Sequence, residues 1–263
     1  MKVLQILPQL NIGGVERGTL DLSRALINRG YKSFVISGGG VLVDELKRTG
    51  AEHIELPIHH KSLRTLSLAN ELSETISNID PNIVHVRSRM PAWVNYRAFK
   101  KLKKKPLLIS TFHGLYSFPI YSKVMSFVDH SIAISNTVES YILENYKLEK
   151  KDITIIPRGC EPTEFNKDLI NPEDRNNILR EFPQIRDKKV LTIPGRITKW
   201  KGVVEFIELL SLLDDTYHGL IVGPTAQSKI KYLKKLQNKV TSMNLDHRIT
   251  CLLYTSDAAD DRM

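Results

Sequence analysis

The sequence predicts an α/β protein made of two doubly wound parallel-sheet domains, the second of them incomplete. Three observations carry this expectation. Short apolar runs alternate with longer amphipathic segments from Val3 onward. That rhythm breaks between Arg158 and about Lys188, where Pro162, Pro172 and Pro183 stand among charged residues and Asn. A second alternation then opens at Val190 and stops early. Strand–helix alternation places successive strands parallel, with right-handed crossovers and helices on both faces.

Val3–Leu7 reads as a buried strand, and Glu16–Asn28 as a helix because Leu20, Leu22, Ala25 and Leu26 recur at near-helical spacing. Ser33–Ser37 is a strand that exits through Gly38, Gly39 and Gly40, followed by a helix over Val41–Arg48 and a strand over His53–Leu56. Leu66–Ile76 suits a helix, and Ile83–Arg87 a strand starting just after Pro81. Pro91–Lys101 suits a helix with proline in its first turn, where the ring costs no hydrogen bond. Leu107–Thr111, Ser131–Ile134 and Ile153–Ile156 are further strands, with helices at Ile120–Phe127 and Thr137–Asn145. After a linker containing some helix (Asn176–Glu181), Val190–Ile193, Gly219–Val222 and Arg248–Leu253 read as strands and Trp200–Leu213 and Ile230–Met243 as helices. The expected division is residues 1–165, a linker 166–188, a partial domain 189–250 and a tail 251–263.

The composition suits an ordinary globular protein: 263 residues, 41% hydrophobic and 25% charged, enough to bury a sizeable core. No run of about 18 apolar residues offers a membrane span, and Val3–Leu7 is too short for the core of a signal peptide. Cys160 and Cys251 do not make a disulfide framework. A cytoplasmic protein is expected. The net charge of +9 comes with no nucleic-acid-binding module, so no nucleic-acid partner is expected. The run Lys100–Lys105 closes a helix whose C-terminus favours cations. A basic face also suits an anionic substrate or peripheral contact with anionic lipid at the inner face of the membrane.

Two turns could carry chemistry. The first strand runs through Pro8–Ile12 into Gly13 and Gly14 and then a helix. A glycine pair there lets another group approach the backbone beside an anion-attracting helix start. Val15 stands where a dinucleotide fingerprint needs its middle glycine, which counts against a nicotinamide enzyme. The second turn is Pro194-Gly195-Arg196-Ile197-Thr198-Lys199-Trp200-Lys201-Gly202, at the equivalent place in the second half. Arg196 and Lys201 flank a helix start and suit a diphosphate, one as a fork and the other as a point charge. The sequence offers no acidic cluster for a metal, and no metal or other cofactor is expected.

Gly195–Gly202 is similar to the G-R-x-x-x-x-K-G motif of family-4 glycosyltransferases. Gly13–Glu16, Ile83–His85, Ser110–Gly114, Ala133–Ser135 and Ile156–Glu161 stand in that family's order, so the resemblance covers residues 1 to about 250. Ser88–Trp93 further suggests a bacterial cell-envelope branch. The resemblance implies a GT-B fold and a retaining transferase that moves a sugar from a nucleoside-diphosphate sugar to a glycan or lipid-linked acceptor. It implies that Arg196 and Lys201 hold the donor diphosphate, that Gly13 and Gly14 approach the phosphates, and that His113 lies near the transferred sugar. Arg89 and Arg158 are candidate acceptor-side residues, although Arg158 stands where many relatives have Asn. His85 is read as structural, and Cys160 as packing. Two rivals stay open: a nucleotide-sugar epimerase of the same fold, and a non-catalytic nucleotide-sugar or glycan-binding protein.

The family places a Glu-x7-Glu segment further along its second domain, and this chain ends before it. The chain is therefore expected to lack a ribose clamp and to be inactive or unstable. Cys251–Asp261 resembles the translation of a transposase sequencing adapter. On that reading the native text ends near Thr250. Asp257, Asp260, Asp261 and Arg262 contribute −2, leaving a native charge of +11 and one cysteine.

Overall fold

The structure, a computed structural model, describes every residue except 61, 63, 117–118, 161–165, 226–229 and 256–263. The chain forms two compact units that divide after residue 164.

The first unit holds seven parallel strands: β1 (Lys2–Ile6), β2 (Lys32–Ser37), β3 (Glu52–Glu55), β4 (Ile83–Val86), β5 (Leu107–Phe112), β6 (His130–Ala133) and β7 (Ile153–Ile155). Their order is β3-β2-β1-β4-β5-β6-β7. The chain thus winds one way from β1 to β3 and the other way from β4 to β7. The helices are α1 (Gly14–Asn28), α2 (Val43–Arg48), α3 (Ala69–Ile79), α4 (Arg89–Phe99), α5 (Pro119–Ser122) and α6 (Asn136–Asn145). Strands covered on both faces read as continuous apolar runs. Leu4, Ile6, Val35, Ile36, Val84 and Phe112 are accordingly buried, each such side chain contributing roughly 1.5–3 kcal/mol.

The second unit has strands β8 (Lys189–Pro194), β9 (Tyr217–Thr225) and β10 (Ile249–Thr255), in the order β10-β9-β8. Helices α7 (Pro172–Glu181), α8 (Val203–Ser211) and α9 (Ile230–Ser242) accompany them. Its core gathers Ile197, Val203, Ile207, Leu210, Ile221 and Leu236.

Local physics moved several expected boundaries. The helix expected over Trp200–Leu213 is split, because Gly202 takes φ +70° between a 3-10 turn (Lys199–Lys201) and α8. Ile120–Phe127 likewise divides into α5 and a 3-10 turn (Lys123–Ser126). In the expected linker, α7 starts at Pro172, four residues early, where Asn171 accepts from the Glu173 N–H and proline takes the first helical position. Residues 166–188 group with the second unit. In the expected tail, Cys251–Thr255 continue β10 beside β9, while residues 256–263 lie outside the described residues.

Candidate functional site

In the first unit, strand order reverses between β1 and β4. In open α/β sheets the crevice beyond the carboxyl ends of the strands at such a point is where ligands bind. The turn Pro8–Gly13 leaves β1 there, and Arg87 follows the last residue of β4.

A polar seam runs beneath that crevice. Gln5 on β1 is fully buried, and its side-chain amide donates to Ser23 Oγ (2.9 Å) and to the Thr19 carbonyl (3.2 Å) on α1. Ser23 in turn shares a hydrogen bond with Ser33 Oγ at 3.0 Å. These bonds turn Gln5 Oε1 toward Arg87, whose Nη1 donates to it at 2.8 Å. Arg87 is 6% exposed, and its Nε has no hydrogen-bond partner. Burial above all, and then the Arg158 guanidinium, push its pKa down to about 10, against the opposing field of Glu16 and Asp21. A group with that pKa is still a cation at neutral pH.

His85, on β4 and buried, shares a 2.7 Å hydrogen bond with Thr111 Oγ1 of β5. Burial, with Arg87 and His113 nearby, holds its pKa well below the usual imidazole range. His113 follows β5, and neither of its ring nitrogens, both buried, has a partner. Burial first, then Arg87 and Arg158, push its pKa down to about 3. The ring is therefore neutral, with one nitrogen able to donate and the other to accept. It can orient a hydroxyl, but it does not arrive as an imidazolium acid.

Arg158, exposed, follows β7 and reaches back to α1, where its Nη2 donates to the Gly14 carbonyl. A Cβ on Gly18 would meet Arg158 Nη2 at 2.5 Å and Arg87 Nη2 at 3.3 Å. Glycine inside a helix costs about 0.5–1 kcal/mol relative to alanine, and here it makes room for two guanidinium groups. His85, Arg87, His113, Arg158, Gly18 and Asp21 all line one cavity of about 570 Å³, within the range that holds a small-molecule ligand.

The second unit carries its own turn. β8 ends at Pro194, and Gly195 follows at φ +137°. A Cβ on Gly223, at the far end of β9, would collide with the Gly195 carbonyl, so the two backbones touch. The Lys201 stem lies over Gly195, 3.5 Å from where its Cβ would stand. Arg196 and Lys201 are both exposed, while Ile197 between them is buried and anchors the turn. Two cations are thus displayed from a tightly held backbone at the carboxyl edge of β8.

The expected residues fall into separate groups. Gly14, His113 and Arg158 surround the first unit's crevice. Gly13 has extended backbone (φ 179°) and lies against the Glu16 carboxylate. Arg196 and Lys201 share the second unit's turn. Arg89 does not line the cavity: its guanidinium stacks over Tyr116 (4.9 Å) and Tyr121 (5.3 Å) and donates to Ser122 Oγ at 3.3 Å. Cys160, read from sequence as packing, is exposed at the cavity wall. The correction has a simple cause, since residues 156–160 past β7 are all exposed. Sequence reasoning missed Gln5, Gly18 and Arg87. The available signals were a glutamine inside an apolar strand, a glycine inside an amphipathic helix and an arginine at a strand's carboxyl end.

Comparison with known proteins adds one family match and three similar proteins. A family model, Glycosyltransferase Family 4, matches residues 12–164, more than half of the chain. The crystal structure of a glycosyltransferase from Rickettsia africae is 30% identical and superposes with a TM-score of 0.81, covering 97% of this chain and 69% of that one. HepE of Anabaena, solved with UDP and glucose, is 17% identical with a TM-score of 0.79, over 98% of this chain and 70% of that one. An uncharacterised glycosyltransferase of Methanocaldococcus jannaschii is 34% identical over 127 residues, 42% of this chain. The curated relatives are matched over only 30% and 38% of their own lengths.

Proposed function

From the premise that the chain belongs to glycosyltransferase family 4 and has the GT-B architecture, we propose that it takes part in retaining transfer of a sugar from a nucleoside-diphosphate sugar to a glycan or lipid-linked acceptor. Cell-envelope polysaccharide assembly is the assigned setting, by analogy with the branch that Ser88–Trp93 resembles. The observation that carries the reading is the Gly195–Gly202 turn, which presents Arg196 and Lys201 from a fixed backbone. As the glycosidic bond breaks, negative charge builds on the departing diphosphate, and preorganised cations stabilise that charge by several kcal/mol. On this reading Arg196 takes two phosphate oxygens and Lys201 supplies a point charge. That a structural neighbour was solved with UDP and glucose supports a UDP-sugar as the first donor to try. No metal or other cofactor is assigned a part.

The first unit is assigned the acceptor chemistry. Neutral His113 orients a sugar hydroxyl and Arg158 contacts the acceptor, while Gly13 and Gly14 are assigned to approach the donor phosphates once the Glu16 carboxylate and the Arg158 guanidinium beside them swing aside. No described helix is long and apolar enough to cross a membrane. We assign the protein to the cytoplasm, with peripheral contact at the inner face of the membrane where a lipid-linked acceptor lies. Calorimetry with uridine, UMP and UDP tests the donor reading. A diphosphate site binds UDP at least tenfold more tightly than UMP, whereas equal affinities contradict it.

A further inference from the structure

The crevice of the first unit holds more positive charge than orienting a neutral sugar requires. Arg87 is a buried cation with one N–H unmatched, and a buried charge is tolerated only when it is paired and hydrogen-bonded. Gln5 satisfies a single one of its five N–H groups, and Gln5 is neutral. Arg158 converges on the same spot from the other end of the sheet, and both guanidinium groups reach into the space that a Cβ on Gly18 would take. Two like charges held this close repel, and the Arg158 charge lowers the tendency of Arg87 to stay protonated. Arg29 lines the same cavity, and the opposing charges that act on Arg87 are those of Glu16 and Asp21. His85 and His113 are neutral there and add no opposing charge.

We propose that Arg87 and Arg158, over the floor left open by Gly18, bind an oxyanion fixed on the acceptor, so that the acceptor is a phosphorylated or carboxylated glycan and not a neutral one. The inference rests on the acceptor-side reading of this edge and names what that acceptor must carry. Guanidinium forks match both phosphate and carboxylate oxygens, and an anion between them relieves their mutual repulsion. His113, beside it with both nitrogens unused, is left to hold a neighbouring hydroxyl of the same ligand.

The test uses the 263-residue chain carrying Arg196→Ala and Lys201→Ala, which silences the second unit's cations. Inorganic phosphate and acetate are titrated separately, and amide and imidazole shifts are followed by NMR. The expected result is saturable binding of at least one anion with shifts at Gly18 and His113. Adding Arg158→Met should raise its dissociation constant at least tenfold. Arg158 is exposed, so this variant keeps the fold even if the buried Arg87→Met does not. Preference for phosphate identifies a phosphorylated acceptor, and preference for acetate a uronic or other carboxylated one. Absence of shifts at Gly18 and His113, or a constant unchanged by Arg158→Met, overturns the proposal. UDP binding by the unmodified chain is read separately: UDP bound with no anion at Gly18 rejects this site alone, and an anion at Gly18 without UDP rejects the donor reading alone.

Discussion

Arg87 Nη1 donates to Gln5 Oε1 at 2.8 Å across 82 residues of chain, joining the two strands between which the sheet changes direction. Gln5 is thereby the hinge of the crevice: one end of its amide is tied to α1 and the other holds a buried cation in place.

Replacing Gln5 with leucine keeps the volume and removes the acceptor. Arg87 then has a second unmatched N–H in a buried position, and Ser23 loses one of its two donors. A hydrogen bond to a charged group is worth about 1.5–3 kcal/mol, so Gln5→Leu should lower the unfolding free energy by roughly 2 kcal/mol. Urea denaturation checks this, and a loss within 0.5 kcal/mol would show that water replaces the amide.

Stability should fall with acid before any carboxylate titrates. His113 has a folded pKa of about 3 and an unfolded value near 6.5, so the unfolded chain binds the proton first. The stability is fully present above about pH 6.5 and is lost as pH falls toward 3, at roughly 1.4 kcal/mol per pH unit for each such group. His85 is shifted in the same direction and adds to the slope. Unfolding measured at pH 7.5 and 5.5 should show the loss, and His113→Gln should flatten it by about one group's share.

Gly223 should tolerate no side chain. Its φ is +154°, and a Cβ there would collide with the backbone carbonyl of Gly195, which cannot swing aside as a side-chain tip can. Gly223→Ala should cost about 1–3 kcal/mol and disturb the Arg196 turn with it. A variant with wild-type melting temperature and UDP affinity would contradict the close packing of β9 against this turn.

Much of the architecture is legible in the sequence because each central strand is buried on both faces and so shows as an apolar run, Val3–Leu7 and Leu107–Thr111 among them. The Gly195–Gly202 turn is legible for a different reason: its spacing is local, set within one strand–turn–helix unit. The other half of the candidate site is not local. Gln5, Gly18, Arg87, His113 and Arg158 come from five segments, brought together only by the sheet order β1-β4-β5-β6-β7. A lone glutamine in a strand or a glycine in a helix has no meaning until its neighbour across the sheet is known. Helix ends misjudged at Trp200 and Pro172 turned on backbone conformation at Gly202 and capping at Asn171, which hydrophobic period does not register.

The central claim is that the Gly195–Gly202 turn holds the donor diphosphate through Arg196 and Lys201. Its most direct test is calorimetric titration of UDP into the unaltered chain and into the Arg196→Ala, Lys201→Ala double variant. Both side chains are exposed, so the variant should fold normally, as its melting curve can confirm. The account predicts at least a tenfold weaker UDP affinity, about 1.4 kcal/mol or more. An unchanged affinity in a folded double variant would contradict it.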